Sequence, residues 1–158
     1  MPFFFPRATR SGYGFGSEYT FEFHPDAYAP TRDDENEFGD YEFQKHYYPR
    51  MGAFDSNEEY QCACWLDRQP EVEFWVRNLV GKSGGSFFLQ TANKKFFPDF
   101  ICKLTDGRIL VVEYKGADRW KNAEPDRLVG QLWEDLSNGA CLFVMVKEKC
   151  WADIRSKF

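Results

Sequence analysis

The chain has 158 residues, of which 43% are hydrophobic and 28% charged, a balance typical of one soluble globular domain. Its aromatic fraction of 19% excludes a disordered chain, and no apolar run reaches the about 20 residues that a membrane-spanning helix needs. The net charge of −5 argues against a protein that coats nucleic acid without specificity. Five cysteines without paired spacing, and a start that lacks both a basic lead and a long apolar stretch, predict a reduced, cytoplasmic protein without a secretory signal.

Charge and aromatic rings are unevenly distributed along the chain. Residues 1–60 contain 5 basic and 12 acidic side chains, whereas the rest of the chain contains 15 and 13. Residues 1–55 also hold 15 of the 30 aromatic rings. We therefore predict an aromatic-rich N-terminal arm over 1–55, which carries short β segments at 19–23 and 41–47 and packs against protein. Residues 56–158 form the predicted core, where any site for an anion is expected.

Periodicity and end signals divide the core into a regular series of elements. Ser56-Asn57-Glu58-Glu59 has the S-x-x-E pattern of a capping box, so a helix should begin there and end near Arg68, before Pro70. Later segments alternate apolar and polar residues or are apolar throughout, as strands do. They predict strands at 72–76, 96–104, 108–115 and 140–146, a short strand at 87–89, and a closing helix. The predicted order is α-β-β-β-α-β, an α/β fold with a mixed sheet flanked by helices.

A second core helix is predicted before the last strand. Pro125 suits its first turn, and Gly139 lies just past its end. A four-residue spacing defines its apolar side. That side consists of Leu128, Leu132 and Leu136, with Val129 and Trp133 flanking them.

Two carboxylates and a lysine are predicted to meet at the ends of two neighbouring strands. Asp99 follows Pro98 near the start of one strand, and Glu113 and Lys115 lie on the next. Because side chains alternate along a strand, Glu113 and Lys115 point to the same face of the sheet. The three groups form a candidate catalytic site if Asp99 shares that face.

The turn between the two strands decides where Asp99 points. A two-residue turn at Asp106-Gly107 pairs residues whose numbers sum to 213, which turns Asp99 away from Glu113. A three-residue loop at 105–107 makes the sum 212 and sets Asp99 opposite Glu113. Such loops favour a glycine in the left-handed conformation at their end, which Gly107 supplies. The site therefore requires the three-residue loop or a bulge in the ladder.

Two carboxylates placed opposite each other repel unless a cation offsets their charge. The predicted cation is Mg²⁺, with Mn²⁺ as a substitute, bound by Asp99 and Glu113 together with waters and phosphate oxygens. It would polarise a phosphate and lower the pKa of a bound water, while Lys115 would orient that water or neutralise charge on the phosphate. The alternative is a plain hairpin with a surface Glu-Lys pair and a chance Pro-Asp.

Pro98-Asp99, thirteen intervening residues and then Glu113-Tyr114-Lys115, in this order of elements, resemble the PD-(D/E)XK nuclease motif. More narrowly, the chain is similar over about residues 40–147 to the C-terminal endonuclease region of type III restriction enzymes and their DEAD/DEAH-helicase relatives. The segments that carry the likeness are 43–49, 75–79, 97–100, 106–109, 111–116 and 130–134. The resemblance implies a restriction-endonuclease-like core and Mg²⁺-dependent cleavage of DNA phosphodiesters by Asp99, Glu113 and Lys115.

The resemblance also implies roles for two helix residues. Members of the family often add a glutamate from the first core helix, and Glu59 lies on the stripe of that helix that faces the sheet. The alternative is that Glu59 only closes the capping box. Gln131, on the second helix, would contact metal-bound water or phosphate as in some relatives; the alternative is a solvated helix glutamine.

Basic residues beside the predicted site could hold a nucleic-acid backbone. Lys94 and Lys95 lead into the first of the two strands, and Arg119 and Lys121 bracket Trp120 after the second. The alternative is that these residues belong to ordinary solvated loops.

The chain departs from the family because it has no ATPase motor. Gly81-Lys82-Ser83 ends like a Walker A motif, but Val76 stands where the motif needs glycine, and 158 residues cannot hold two motor domains. The expected partners are therefore DNA and a helicase or recognition subunit in cis or in trans, with a homodimer also open and no membrane. Two other functions stay open: a catalytically silent docking module that binds a helicase or its own copy, and a nuclease for RNA or branched DNA.

Overall fold

The computed structural model describes residues 4–8, 15–22, 28–30, 37–81 and 86–158. Phe23, the end of one predicted β segment, lies outside them. In chain order the elements are β1 (Phe4–Ala8), β2 (Phe15–Glu22), α1 (Asn57–Asp67), β3 (Val72–Arg77), β4 (Leu89–Gln90), β5 (Lys95–Phe96), β6 (Phe100–Leu104), β7 (Ile109–Lys115), a 3-10 turn (Lys121–Ala123), α2 (Glu124–Leu136), β8 (Cys141–Lys147) and α3 (Trp151–Arg155). None of these helices is long and apolar enough to cross a bilayer.

The central sheet has four strands in the order β3-β6-β7-β8. β3 and β7 each pair antiparallel with β6, whereas β7 and β8 run parallel. β1 pairs with β2, and β4 with β5, in two small antiparallel sheets. The prediction of an α/β fold with a mixed sheet flanked by helices is confirmed.

Each face of the central sheet carries one hydrophobic cluster. On one face, Ala63 and Leu66 of α1 pack with strand residues such as Val112. On the other, Val129 and Trp133 of α2 pack with Val111 and its neighbours. Because side chains alternate along β7, its apolar residues divide between the two clusters, and both faces exclude water.

The first helix forms as its capping signal predicts. Ser56 is the N-cap, and its hydroxyl accepts a hydrogen bond from the Glu59 amide at 3.2 Å. The Glu59 side chain accepts from the Asp55 amide at 3.2 Å, one residue before the amide that a full capping box would use. Glu59 is thereby held at the start of α1, beside the ends of the strands.

The predicted apolar side of α2 is wrong. Leu128, Leu132 and Leu136 are 64%, 36% and 38% exposed, and the buried face carries Gly130 with Val129 and Trp133. A β-carbon at Gly130 would overlap the Phe143 ring of β8, so the absent side chain lets the helix backbone approach the sheet at this point. A close approach of backbone to sheet therefore decides which stripe of the helix is buried.

Two predicted strands are shorter than their apolar runs. The 96–104 segment divides into β5 and β6 around Pro98, which has no amide hydrogen for a ladder. The 87–89 segment contributes only Leu89 to β4.

The segment at 41–47 forms a single parallel bridge between His46 and Trp75 instead of a strand. Its amides are used elsewhere, because the buried Asp67 carboxylate accepts from the amides of Gln44 and Lys45 at 3.0 and 2.9 Å. The same carboxylate accepts from the hydroxyl of Tyr41 and the indole of Trp75. This part of the predicted arm is therefore fixed to α1 and β3, and its Tyr41 and Phe43 rings pack against the α1-side cluster.

Candidate active site

The register of β6 against β7 matches the three-residue loop. The paired residues run from Phe100 with Val112 to Lys103 with Ile109, and each pair sums to 212. Leu104 donates from its amide to the Arg108 carbonyl at 2.9 Å, and Gly107 has a φ of +97°. The predicted loop is confirmed, and continuation of this register sets Asp99 opposite Glu113.

The two carboxylates take the place of main-chain acceptors where the β6–β7 ladder stops. The Asp99 amide donates to Glu113 Oε2 at 3.0 Å, and the Tyr114 amide donates to Asp99 Oδ2 at 2.8 Å. Each carboxylate thus satisfies a backbone amide of the opposite strand. These bonds fix both side chains at the end of the hairpin and leave one oxygen on each for another partner.

Those remaining oxygens face cations. Glu113 Oε1 lies 2.6 Å from Lys115 Nζ, and Asp99 Oδ1 lies 3.5 Å from Arg77 Nη1. Arg77 Nη2 also donates to Glu59 Oε2 at 3.0 Å, which ties α1 to the same cluster. The structure therefore brings together four residues that the sequence nominated, Glu59, Asp99, Glu113 and Lys115, and adds Arg77.

Burial perturbs the carboxyl groups of this cluster. It raises the pKa of Glu113 well above its ordinary value, and the adjacent Asp99 charge adds to the effect. Burial also raises the pKa of Asp99, against the lowering effect of Arg77, and it raises the pKa of Glu59 to about 7. Although burial acts to lower the pKa of Lys115, the charge of Glu113 raises it above its ordinary value. Neighbouring acids with pKa values raised by burial are typical of functional sites.

A cleft of about 620 Å³ opens over the cluster. Its walls come from the start of α1, the end of β7 and the loop that follows β7. Besides Glu59, Asp99 and Glu113, it is lined by the carboxylates of Asp55, Glu58, Asp118 and Glu148, while its basic side chains are Lys115 and Arg119. Carboxylates outnumber cations, so phosphate binding in this cleft requires additional positive charge.

Several nominated residues lie away from the cleft. Gln131 is exposed on α2, and its amide donates to Asp135 of the same helix at 3.0 Å. Lys94 Nζ lies 3.3 Å from Asp126 Oδ2, and Lys95 Nζ lies over the Phe88 ring, 4.6 Å from its centre. These contacts support the solvated alternative for Gln131 and leave Lys94 and Lys95 engaged with protein groups.

Of the nominated basic residues, Arg119 lines the cleft, and two further basic groups lie around the neighbouring Trp120. Lys147 pairs with Lys115 in the parallel β7–β8 register, so the two side chains share a face. Lys147 Nζ lies 5.6 Å from the centre of the Trp120 ring, and Arg127 Cζ lies 4.5 Å from the same ring centre. The sequence places Arg119 and Lys121 beside this tryptophan and Arg127 near the site, but it does not predict that Arg127 and Lys147 contact the ring, because both contacts depend on the fold.

Asn78 was also missed as a positioning residue. Its side chain donates to the Pro98 carbonyl and exchanges hydrogen bonds with Phe87, all at 2.8 to 2.9 Å. The backbone amide of Asn78 donates to the Asp99 carbonyl at 2.8 Å. A buried asparagine directly after an apolar strand was the available signal, since such a group must find partners.

The cluster suits a hard divalent cation by its chemistry. Asp99 and Glu113 supply carboxylate oxygens, and Mg²⁺ is commonly held by one or two carboxylates with waters and phosphate oxygens completing its shell. In the described residues, no group of three or more His, Cys, Asp or Glu side chains is arranged to hold a metal ion.

No family model, curated protein or solved structure matches this chain.

Proposed function

We propose that the chain is a metal-dependent endonuclease domain that hydrolyses phosphodiester bonds of DNA. One observation carries the proposal: Asp99, Glu113 and Lys115 converge at the open end of the β6–β7 hairpin, at the floor of a cleft. A purely structural hairpin has no reason to bury two carboxylates there, because burial disfavours their ionised forms.

Asp99 and Glu113 are the residues that would hold Mg²⁺. When bound, the ion would polarise the phosphate and lower the pKa of a coordinated water. The excess of carboxylates in the cleft supports a requirement for this ion, since the phosphate of a substrate would otherwise meet net negative charge.

Lys115 acts on the reacting phosphate. Its Nζ is held 2.6 Å from Glu113 Oε1, and the side chain is 22% exposed, so it reaches the cleft without losing its partner. From that position it orients the attacking water or stabilises the charge that develops on the phosphate. Its raised pKa keeps it protonated at neutral pH, which favours charge stabilisation over proton abstraction.

DNA reaches this site along the basic groups around Trp120. Arg119 lines the cleft, Lys147 lies on the strand next to Lys115, and Lys147 and Arg127 of α2 both lie against the Trp120 ring. Such groups contact phosphates without reading sequence. In the wider proposal, the domain is the nuclease module of a helicase-linked restriction system, and the motor or a recognition subunit supplies the specificity.

Plasmid cleavage tests the proposal. Supercoiled DNA is incubated with the protein in chelator, Mg²⁺ or Mn²⁺, beside Asp99→Ala and Lys115→Ala, with Lys149→Ala as a matched control on an exposed lysine. We expect metal-dependent nicking by the wild type and Lys149→Ala alone. Equal behaviour of the wild type and both site variants in every buffer would contradict the proposal. RNA and flap-containing DNA in parallel reactions decide the substrate class.

A catalytically silent docking module is the second candidate function. The observation in its favour is the exposed leucine stripe of α2, formed by Leu128, Leu132 and Leu136. A wild-type protein without nuclease activity on any of these substrates favours this candidate.

A further inference from the structure

Arg77, the last residue of β3, presents a buried guanidinium to the carboxylate cluster. Its side chain is 7% exposed, and its Cζ lies 5.8 and 5.7 Å from the ring centres of Phe54 and Phe100. Nη2 donates to Glu59 Oε2 at 3.0 Å, and Nη1 lies 3.5 Å from Asp99 Oδ1. A buried cation therefore bridges α1 and the aspartate of the proposed metal pair.

The backbone of Arg77 is fixed from two directions. Its amide donates to His46 Nε2 at 3.1 Å, and its carbonyl accepts from the Tyr28 hydroxyl at 2.6 Å. On its other edge it pairs with Phe100 in the β3–β6 ladder. Any change in the contacts of the guanidinium must therefore come from its side-chain rotamer.

The guanidinium is held more firmly by Glu59 than by Asp99. The Glu59 contact is a 3.0 Å hydrogen bond, whereas the Asp99 carboxylate contact is a longer ion pair, and Nη1 also has the carbonyls of Asn78 and Asp99 at 3.4 Å. Among the described residues, Arg77 Nε is buried without a hydrogen-bond partner. A buried donor in that condition is unusual and needs an explanation, because most buried polar groups are hydrogen-bonded.

Oδ1 of Asp99 is the oxygen that faces Arg77, at 3.5 Å. Oδ2 accepts from the Tyr114 amide at 2.8 Å, which fixes the carboxylate to β7 and uses one of the lone pairs of that oxygen. A cation that binds Oδ1 meets the like charge of the Arg77 guanidinium and therefore competes with it for this oxygen.

We propose that Arg77 is a resident counter-cation of the carboxylate cluster: it neutralises Asp99 in the metal-free protein and releases Oδ1 to a divalent cation, while Glu59 retains the guanidinium. Arg77 is then a positioning residue that competes with the metal, and Glu59 serves the site indirectly, as the anchor of Arg77. This inference rests on the proposed metal-dependent function. An anchoring role of Glu59 differs from a direct role as a metal ligand. The two roles predict opposite effects on metal affinity in the double variant Glu59→Gln/Arg77→Gln.

Mn²⁺ binding, measured by titration calorimetry without DNA at mildly alkaline pH, tests the inference. The proteins are the wild type, Arg77→Gln, Glu59→Gln and the double variant Glu59→Gln/Arg77→Gln, with a thermal unfolding curve for each. We expect Arg77→Gln to bind Mn²⁺ about tenfold more tightly, because a like charge is removed, and to unfold at a lower temperature. A purely structural arginine would lower both affinity and stability.

The Glu59 variants distinguish an anchor from a ligand. Without Glu59, the carboxylate partners of Arg77 are Asp99 at 3.5 Å and the exposed Asp55 at 3.4 Å. The guanidinium therefore stays beside Asp99, and Glu59→Gln should bind Mn²⁺ about tenfold more weakly than the wild type. Removal of Arg77 as well should restore the affinity to within about threefold of the wild type. The double variant removes both charges of the pair, so it leaves no unpaired guanidinium and serves where Arg77→Gln fails to fold.

An Arg77 substitution that leaves Mn²⁺ affinity unchanged or weakens it, in both the wild-type and the Glu59→Gln background, overturns the inference. Plasmid cleavage is measured separately on the wild type. Metal binding without cleavage of any nucleic acid contradicts the proposed nuclease function. The Mn²⁺ titrations of the variants then still decide whether Arg77 competes with the metal for Asp99. A wild type that binds neither Mn²⁺ nor Mg²⁺ overturns both.

Discussion

The β6–β7 hairpin carries an acid–base pair at each end, two residues apart in both cases. At the turn, Asp106 Oδ2 and Arg108 Nε are 2.7 Å apart, and the aspartate side chain is 51% exposed. At the open end, Glu113 Oε1 and Lys115 Nζ are 2.6 Å apart, but the glutamate side chain is only 5% exposed. The two pairs have nearly the same geometry and very different surroundings.

The different surroundings shift the pKa of the acid in opposite directions at the two ends. At the turn, the backbone N–H of Arg108 lowers the pKa of Asp106, as expected for a solvated carboxylate that accepts hydrogen bonds. At the open end, burial raises the pKa of Glu113 despite the neighbouring lysine. A short distance between opposite charges therefore does not distinguish the two pairs, whereas desolvation does, and it makes the open-end pair the candidate for a functional role.

The largest expected difference between the two ends is in catalysis. Asp99→Ala removes one of the two proposed metal-holding carboxylates and should lower the rate of metal-dependent plasmid nicking by about a thousandfold or more. Asp106→Ala, at the turn, removes an exposed carboxylate and should leave the rate within about twofold of the wild type. Comparable losses in both variants would mean that the open end is not the reacting site.

A second difference concerns the dependence of stability on pH. The pKa of Glu59 rises from 4.5 to about 7 on folding, so the folded protein binds more protons than the unfolded chain between these values. Its contribution therefore opposes folding increasingly as pH rises through this window, by up to about 3 kcal/mol. Glu59→Gln should become more stable relative to the wild type over the same window.

Urea unfolding in chelator at a series of pH values measures this effect. Asp106→Asn is the control, because the pKa of Asp106 is lowered and its stabilising contribution disappears only as pH falls through the acid range. A constant difference between Glu59→Gln and the wild type from pH 4.5 to 7 would contradict the perturbed environment of Glu59.

A smaller difference is expected in DNA affinity. Lys147→Ala and Arg127→Ala, placed in a Lys115→Ala background that blocks cleavage, should each weaken binding of a labelled duplex by about threefold to tenfold. Both should also reduce the salt dependence of binding. Arg108→Ala, at the turn end, should leave affinity unchanged, and fluorescence anisotropy at several salt concentrations distinguishes these outcomes.

The smallest expected effect is on stability, when the exposed ion pair at the turn is weakened. Asp106→Asn weakens an exposed ion pair and should lower the free energy of unfolding by no more than about 0.5 kcal/mol near neutral pH. Chemical denaturation checks this value. A decrease of several kcal/mol in the free energy of unfolding would mean that this exposed ion pair stabilises the protein as much as a buried pair would.

The position of Asp99 opposite Glu113 could be predicted because two local rules determine it. Side chains alternate along strands, and a three-residue loop that ends in glycine sets the register. Arg77 could not be predicted in the same way. Its guanidinium reaches Glu59 and Asp99 across the end of the sheet, and no spacing in the sequence encodes contacts among three separate elements.

The error at α2 has a similar origin. Leu128, Leu132 and Leu136 are spaced as a buried stripe would be, but periodicity does not identify which of two adjoining stripes meets the sheet. That choice follows from the space that Gly130 leaves for Phe143. The missing strand at 41–47 likewise depends on Asp67, which lies 22 and 23 positions from the two residues whose amides it takes from a possible ladder.

The Asp67 carboxylate also determines where the chain can be shortened. Of its four donors, three come from Tyr41, Gln44 and Lys45, and the fourth is the Trp75 indole. Truncation at the predicted boundary between arm and core, before residue 56, would remove three of these four hydrogen bonds and the residues that pack over Asp67, which should be strongly destabilising. We therefore expect the minimal folding unit to begin before Tyr41, and fragments trimmed to residues 56–158 should be insoluble or unfolded.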